Sequence, residues 1–517
     1  MNSKLLEANH TIFELKKEIT LLKNNNRLLY NENKRFNKKI EEYDKKKEIE
    51  IDLIVKKAVI EATSQFQTLL NNANNKIAKL EAKLNVDYTN SNLPKSQNPI
   101  CKKTISNLRE KTDKSIGGQV NHHKHELLPF KEEEITEHIE SKLCSCSKCQ
   151  SKNITSISSY KSDVLDYKIT ISKIRYTIHK YKCNDCHYIF SSNKELYPNK
   201  ITYGRNVKAT ALELLNDMNV PYNKISKYFN GITNGEVFPK ESYLVKIQHK
   251  YSDELNMFLE SLKKEIVSDL KVIHWDDTTI KIGTKQGIIR FYGDEKYALL
   301  IAHESKSKET VDEDNILSSL SKSKVVVHDH LLLNYNDDYE FKNAECNSHI
   351  LRYLKQVKDN MPKHTWQDKL SELLKRVNSD RKGKENFDKE YQEKTSKEYD
   401  DILKLGLKEN EREYDYLYYK TDEYNLLKRL NKFKEEHLLF MYDFDVPFTN
   451  NIAEKSFRIA KTKMKVSGLF QNIKSASDYT NILSYIETCY RNNISKYDAL
   501  LRLVDGKPYT IEELKNH

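Results

Sequence analysis

Residues 270–283 read LKVIHWDDTTIKIG, and this stretch decides the fold because its β-branched and aromatic side chains predict a strand that carries two aspartates. GIIRFYGD (287–294) and KYALLIAHE (296–304) predict two more strands. ETVDEDNILSSLSKS (309–323) then predicts a helix, and KVVVHDH (324–330) is a short apolar run typical of a buried strand. The predicted order is therefore three strands, a helix and a fourth strand.

That order is the order of a ribonuclease H-like core, whose first and fourth strands lie side by side. Asp276 lies in the first predicted strand and Asp329 near the end of the fourth, so we expect their carboxylates to converge. Phosphodiester cleavage needs an activated water or 3′-hydroxyl and a stabilised leaving oxygen. Two divalent ions about 4 Å apart provide both, and carboxylates are the hard ligands that Mg²⁺ prefers. We predict a site for two Mg²⁺ or Mn²⁺ ions.

A third acid is expected on a later helix, and VPFTNNIAEKSFRIAKTKMKVSGLF (446–470) supplies Glu454. Asn450 and Asn451 are candidate N-cap residues, which places Glu454 in the first helical turn. Basic residues follow it and are candidate DNA contacts: Lys455, Arg458, Lys461, Lys463 and Lys465. Of these, Arg458, Lys461 and Lys465 share a helical face suited to phosphates near the scissile bond.

Two CxxC pairs predict a structural zinc site. Cys146 and Cys149 form the first pair, and Cys183 and Cys186 form the second. The residues between them alternate apolar and polar as a β-hairpin does, so the segment predicts a zinc ribbon with four thiolates around one Zn²⁺ ion. Cys144 could replace Cys146 as a ligand. The alternative is that the four cysteines do not bind a metal.

The N-terminal residues 5–43 carry a heptad pattern that predicts a coiled coil with its apolar stripe exposed in a single chain. The two core positions hold, respectively, Leu5, Ile12, Ile19, Asn26, Asn33 and Ile40, and Ala8, Leu15, Leu22, Leu29, Phe36 and Tyr43. The pattern favours a homo-oligomer formed through this helix. The alternative is a solitary, solvated helix.

Two further segments are less specific. The polar, lysine-rich stretch 87–125 is either a mobile arm over DNA phosphates or a plain tether. Residues 205–232 and 242–251 predict short helices with a turn at 219–221, either a helix-turn-helix or a generic helical hairpin.

Bulk composition agrees with a nucleic-acid partner and excludes a membrane protein. The chain has 517 residues and a net charge of +11, and a basic excess suits an anionic ligand. It shows no long apolar span and no secretory signal at its start. Clustered cysteines in such a chain favour metal binding in a reducing compartment, so we expect a cytoplasmic protein.

These motifs resemble the IS66 family of bacterial and archaeal insertion-sequence transposases. HWDDT (274–278) looks like the family's HADET block, VVVHDHLLLNY (325–335) like the block around its second aspartate, and CNSHILRYL (346–354) like its C-x-x-H-x-x-R stretch. The NNxAE block around Glu454 is the most specific match. GGQVNHH (117–123) and the cysteine pairs also match in order.

The resemblance implies a DD(E/D) transposase with Asp276, Asp329 and Glu454 as catalytic and magnesium-binding residues. DNA, both element ends and target, would be its partner in a prokaryotic, nucleoid-associated setting, and accessory proteins of the same element are further candidates. Thr449, Asp277 and His330 depart from the family's usual Asp, Glu and Gly. The alternatives are a non-catalytic DNA-binding protein, decayed or repurposed, and a host nuclease or resolvase on the same core.

The predicted fold class is multidomain α+β. Its predicted parts are a coiled coil (1–86), a basic linker (87–140), a zinc-ribbon-like domain (141–192), a helical DNA-binding region (193–265), the first part of a ribonuclease H-like α/β core (266–357), a helical insertion (358–435), and the completion of the core with C-terminal helices (436–517).

Overall fold

The computed structural model describes residues 2–42, 48–84, 128–192, 201–410 and 417–516. The predicted linker lies mostly outside these residues, as do the GGQVNHH segment and Tyr43 of the heptad. The chain divides into two compact units. The larger comprises Met1–Ser106, Ile201–Lys227 and Pro239–His517, and the smaller comprises Asn107–Lys200 and Tyr228–Phe238.

Both helices and strands are present, as expected for an α+β protein. The strands are β1 (Lys180–Lys182), β2 (Ile189–Ser191), β3 (Val272–Ile282), β4 (Lys285–Gly293), β5 (Ala298–His303), β6 (Val325–His328) and β7 (Lys342–Glu345). The helices are α1 (Asn2–Glu42), α2 (Glu48–Leu84), α3 (Arg205–Asn216), α4 (Tyr222–Ile232), α5 (Glu241–Asp253), α6 (Asn256–Ser268), α7 (Lys308–Glu313), α8 (Asn347–Asn360), α9 (Trp366–Asp380), α10 (Lys389–Asn410), α11 (Leu417–Lys432), α12 (Lys434–Tyr442), α13 (Asn451–Ser467), α14 (Ile473–Arg491), α15 (Lys496–Val504) and α16 (Ile511–Lys515).

A five-stranded mixed sheet forms the centre of the larger unit, in the order β5-β4-β3-β6-β7. β3 pairs antiparallel with β4, and β4 pairs antiparallel with β5. On its other edge β3 pairs in parallel with β6, which pairs in parallel with β7. The expectation that the first and fourth strands of this region are neighbours is therefore confirmed.

The register between β3 and β6 aligns the two predicted aspartates. His274 is paired with Val327. Continuing the same parallel register by two residues sets Asp276 beside Asp329, which follows the end of β6. Neighbouring strands lie about 4.8 Å apart, so the backbone pairing alone brings these two carboxylates together.

Helix α13 lies against β3 and is tied to that strand near both of its ends. Before its first residue, the Asn450 side-chain amide donates to the Trp275 carbonyl at 2.9 Å. Beyond its last residue, the Phe470 backbone exchanges hydrogen bonds of 2.8 Å with Lys281 and Gly283. The helix and the strand are therefore fixed in one mutual register.

The predicted insertion is helical, and its helices α9–α12 share a core with β6, β7 and α8. The members of this core include Val327, Leu354, Trp366, Leu374, Tyr399, Leu427 and Phe440. Gly406 on α10 has no side chain because an added Cβ would lie 2.6 Å from Leu427 and 3.0 Å from Trp366. The close approach of α10 to α9 and α11 therefore holds the helices of the insertion together.

A buried carboxylate also joins the insertion to the sheet. Glu345, at the end of β7, accepts hydrogen bonds from Tyr335 (2.7 Å), Arg429 (2.8 Å) and His437 (3.0 Å), and it contacts His330. Burial alone would raise the pKa of Glu345, but the hydrogen bonds from the two histidines and the charge of Arg429 hold it well below its usual range. His330, the departure from the family's glycine, belongs to this network.

The helices before the sheet follow the predicted pattern in part. α3 and α4 are separated by a turn in which Asn219 has a φ of +56° and the Val220 amide donates to Leu214 at 2.7 Å. The side chains of Leu212, Leu215 and Ile225 are fully buried. This geometry fits either of the two interpretations of the segment.

The N-terminal heptad falls on a helix, but its stripe is not exposed as expected. α1 packs against α2 of the same chain. Ile12 is buried, Leu15, Ile19 and Leu22 are half-buried, and Leu29 is exposed. A heptad reveals an apolar stripe but not which helix covers it, and here the second helix of the same chain covers much of it.

The smaller unit contains the hairpin of β1 and β2, with Tyr181 paired with Phe190. Residues 153–179, all of which are described, contain no strand, so the hairpin predicted between the two cysteine pairs is wrong. Most of these side chains are exposed, including Ile157 and Tyr160. Alternation predicts a strand only where a neighbouring strand pairs with it, and none does so there.

Within the described part of the chain, no helix combines the length and the apolar character needed to cross a membrane.

Removal of residues 1–86 is expected to reduce the assembly state. Even with α2 in place, Phe13, Leu21 and Leu28 are more than half exposed on α1, roughly two turns apart, and such a stripe favours a partner. Sedimentation velocity at matched concentration would compare the full chain, the shortened chain and a Phe13→Gln/Leu21→Gln/Leu28→Gln chain. An assembly unchanged in both altered chains would exclude these helices as the contact.

Candidate active site

Asp276 lies on β3 and is half-buried, and its Oδ1 accepts a hydrogen bond from the Asp277 amide at 2.8 Å. Burial raises the pKa of Asp276 well above its ordinary range, and the negative charge of Asp329 raises it further. Repulsion by Asp329 therefore adds to the effect of burial on the pKa of Asp276.

Asp329 follows β6, and its closest charged partner is His349 on α8. The Asp329 Oδ1 and His349 Nδ1 atoms are 2.6 Å apart. Both atoms are buried and neither makes a well-aligned hydrogen bond. Burial by itself would lower the pKa of His349, but the carboxylate of Asp329 and the contact with Cys346 raise it to about 10. The carboxylate of Asp329 therefore favours a positive charge on the neighbouring imidazole.

Glu454 lies in the first turn of α13, as predicted, and reaches the same histidine from the other side. Its Oε1 is 3.6 Å from His349 Nε2 and 3.4 Å from the Arg352 guanidinium. Arg352 also lies 3.0 Å from His349 Nε2. Asp276, Asp329 and Glu454, which are distant in sequence, are thus brought together around His349.

Asn450 holds α13 in place by a role different from the predicted one. It occupies the N-cap position but its side chain makes no capping hydrogen bond. The side chain is fully buried, and it bonds His274 Nδ1 at 2.7 Å in addition to the Trp275 carbonyl. Its backbone N–H donates to Cys346 Sγ at 3.1 Å. Asn450 therefore fixes Glu454 relative to β3 and α8.

Asp277 faces away from the acids, as expected from the alternation of side chains along a strand. Its carboxylate pairs with Lys306 at 2.8 Å. It is the cross-strand neighbour of Arg290. Asp277 is therefore not a member of the acidic cluster.

The acids fit a divalent cation by the chemistry of their donors. Hard carboxylate oxygens suit Mg²⁺, and the Asp329 side chain is partly exposed, so an ion can approach its carboxylate. The raised pKa of Asp276 shows that a positive charge near it would be favourable.

The basic residues of α13 do not all lie on one surface. Lys455, Arg458, Lys461 and Lys465 are exposed. Lys463 is instead buried against the rings of Tyr222 and Tyr479, at 5.9 and 5.7 Å, and burial lowers its pKa to about 8. The buried position of Lys463 therefore does not fit the prediction that it contacts DNA.

The two CxxC pairs form matching turns. Gln150 N–H donates to the Cys146 carbonyl and His187 N–H to the Cys183 carbonyl, with φ near +60° at Gln150 and His187. Hydrogen bonds from backbone N–H groups lower the pKa of Cys146 and that of Cys183. Such turns suit thiolate ligands.

The structure does not gather the four cysteine sulfurs into one cluster. Among the described residues, the group of three or more His, Cys, Asp or Glu side chains with ligand atoms within 4.8 Å of one another is Asp329, Cys346 and His349. The expected convergence of the two turns is therefore not seen.

Comparison with known protein families agrees with this geometry. A family model described as Transposase IS66 family matches residues 200–478, more than half of the chain. The chain belongs to the IS66 transposase family. A comparison with curated proteins finds no match. The match includes the sheet, the insertion and all three acids of this transposase.

Sequence reasoning missed the role of His349 and Arg352 in the transposase. Both were noticed only as members of the C-x-x-H-x-x-R spacing. That spacing was the available signal, because residues three apart on a helix lie close together.

Replacement of Asp276 by Asn is expected to stabilise the cation-free transposase at neutral pH. A raised pKa means that the folded protein holds this proton more tightly than the unfolded chain, whose Asp pKa is about 3.9. Asp276 therefore favours folding at low pH and costs stability as the pH rises toward its raised pKa. Thermal unfolding should show a higher Tm for Asp276→Asn at pH 7 and a small difference near pH 4.

Asp277→Asn is the matched control, because it removes the ion pair with Lys306 instead of a repulsion. It should not raise the Tm at pH 7. An Asp276→Asn protein no more stable than the natural chain at pH 7 would contradict the electrostatic account of the site.

Asn450→Ala is expected to destabilise the transposase, whereas Asn451→Ala is not. The first change leaves His274 and the Trp275 carbonyl without their buried partner, at about 1–3 kcal/mol for each group. Asn451 is exposed, so its loss costs little. Urea unfolding of the two variants measures the difference, and equal stability would show that Asn450 is not an anchor.

Proposed function

We propose that this transposase cleaves and joins DNA strands by a DD(E/D) mechanism at Asp276, Asp329 and Glu454. The observation that carries the proposal is the convergence of these three acids around His349. A non-catalytic DNA-binding protein would have no need to hold three carboxylates together at a cost in stability.

In this mechanism Asp276, Asp329 and Glu454 would hold two Mg²⁺ or Mn²⁺ ions, which would supply an activated nucleophile and stabilise the leaving oxygen. The strand pairing fixes the first two acids relative to each other, and Asn450 fixes the third. Asp329 and Glu454 are each about 30% exposed, which leaves their oxygens accessible to DNA.

The sheet order supports a ribonuclease H-like assignment for the catalytic core. Three antiparallel strands are followed by two parallel ones, and acids lie on the first strand, after the fourth strand and on a later helix. α9–α12 then form an insertion before the glutamate.

DNA is the proposed partner, both as element ends and as target. The exposed Lys455, Arg458, Lys461 and Lys465 extend along the helix that begins beside Glu454. Their ammonium and guanidinium groups suit backbone phosphates, which position a strand without reading its sequence. The helices α3 and α4 are a second candidate DNA contact.

The smaller unit is proposed to bind one structural Zn²⁺ ion through Cys146, Cys149, Cys183 and Cys186. The paired turns and lowered thiol pKa values support thiolate ligation. A ribbon with so few buried side chains would gain folding energy from the ion, so the metal would draw the two turns together.

The remaining proposals concern assembly and setting. The exposed stripe on α1 supports a homo-oligomer. A cytoplasmic, nucleoid-associated setting and accessory proteins of the same element follow from the proposed reaction on element DNA.

Alanine at Asp276, Asp329 or Glu454 is expected to abolish strand cleavage and leave binding to element ends largely intact, because each change removes metal ligands without touching the basic face. Cleavage of labelled end DNA with Mg²⁺ and a gel-shift assay measure the two properties. Asp277→Ala is the matched control and should lose much less activity. An Asp329→Ala protein that cleaves at the normal rate would refute the mechanism.

A further inference from the structure

Three donor atoms of different chemistry meet beside the acids. Asp329, Cys346 and His349 place one carboxylate oxygen, one sulfur and one imidazole nitrogen within 4.8 Å of one another. Cys346 and His349 are buried, at 2% and 4% exposure, while Asp329 is partly open to solvent. Two of the three donors are therefore closed to solvent, and an ion could reach the cluster from the side of Asp329.

This donor set does not suit magnesium. Mg²⁺ prefers six oxygen ligands in near-ideal octahedral geometry. A thiolate, an imidazole and a carboxylate match Zn²⁺ and related ions, which bind three protein ligands and keep a fourth position open in many sites.

The surroundings of the cluster are those of a ligand set. The Asn450 backbone N–H donates to Cys346 Sγ at 3.1 Å, which orients the sulfur within the cluster. The buried Asp329 Oδ1 and His349 Nδ1 lie 2.6 Å apart without a well-aligned hydrogen bond. On its other side His349 Nε2 lies 3.0 Å from the Arg352 guanidinium and 3.6 Å from Glu454 Oε1, so neighbouring side chains hold the ring in place.

We propose that Asp329, Cys346 and His349 bind a zinc-class ion, and that this ion inhibits the transposase. Binding replaces the proton of the Cys346 thiol and any proton on the His349 nitrogen that binds the ion, and forms metal–sulfur, metal–nitrogen and metal–oxygen bonds. Since Asp329 is shared, an ion in this site takes that carboxylate from the Mg²⁺ ions of the cleavage reaction. Only the inhibition rests on the proposed function; the binding does not.

The binding test uses the full chain and Co²⁺, whose thiolate complexes absorb light. The natural chain, Cys346→Ser and Cys489→Ser are titrated in parallel. Cys489 is the matched control, because it is also buried but lies on α14 outside the cluster. Cysteines of the smaller unit contribute equally to all three proteins, so the differences report Cys346.

The expected result is that Cys346→Ser binds one Co²⁺ per chain fewer than the natural chain and lacks the corresponding thiolate absorption band. Cys489→Ser should keep this ion and its band. His349→Asn should lose the same equivalent, and circular dichroism checks that each variant is folded. Equal stoichiometry and equal bands in all folded proteins would overturn the site.

The inhibition test adds micromolar Zn²⁺ to cleavage reactions in millimolar Mg²⁺, with each protein normalised to its own rate without Zn²⁺. The natural chain and Cys489→Ser should be inhibited tenfold or more, and Cys346→Ser should resist. Inhibition that is equal in all three proteins would overturn the regulatory part. If no protein cleaves DNA, the proposed function fails, but the cobalt titration still decides whether the site exists.

Discussion

The parallel pairing of β3 with β6 is the constraint on which the rest of this structure depends. It places Asp276 on β3 close to Asp329, which follows the end of β6, and the charge of Asp329 together with burial disfavours ionisation of Asp276. The remaining features of the site answer that repulsion. His349 and Arg352 bring positive charge to the acids, and Asn450 fixes the helix that contributes the third.

The central sheet and the position of its acids could be predicted because their signals are local and strong. Short apolar runs predict the strands. In a ribonuclease H-like core the first and fourth strands are neighbours, and this predicts that Asp276 and Asp329 lie close together. Glu454 was placed in a first helical turn because the asparagines before it mark a helix start. β7 was missed, since KNAE is a polar segment whose strand character comes from pairing with β6.

Other features could not be read from the chain because they depend on which partner covers a surface. Lys463 carries the same side chain as Lys461 and Lys465, yet it lies between two tyrosines from other helices. Much of the heptad stripe of α1 is covered by α2. The periodicity of α1 alone cannot show which helix covers the stripe. The sequence predicts that the Asn450 side chain caps α13. In the structure that side chain instead bonds to His274 and to the Trp275 carbonyl, both on β3.

The fastening of α13 to β3 at both ends bears on how such a chain varies in evolution. A helix of 17 residues and the strand beneath it must span matched lengths between the Trp275 and Phe470 contacts. Insertion or deletion of one residue in that interval would rotate every later side chain by about 100° and break one fastening. Substitutions at the exposed positions of α13 leave the length between the two contacts unchanged. Gains and losses of chain length should therefore fall outside this interval, in the segments that connect helices and strands.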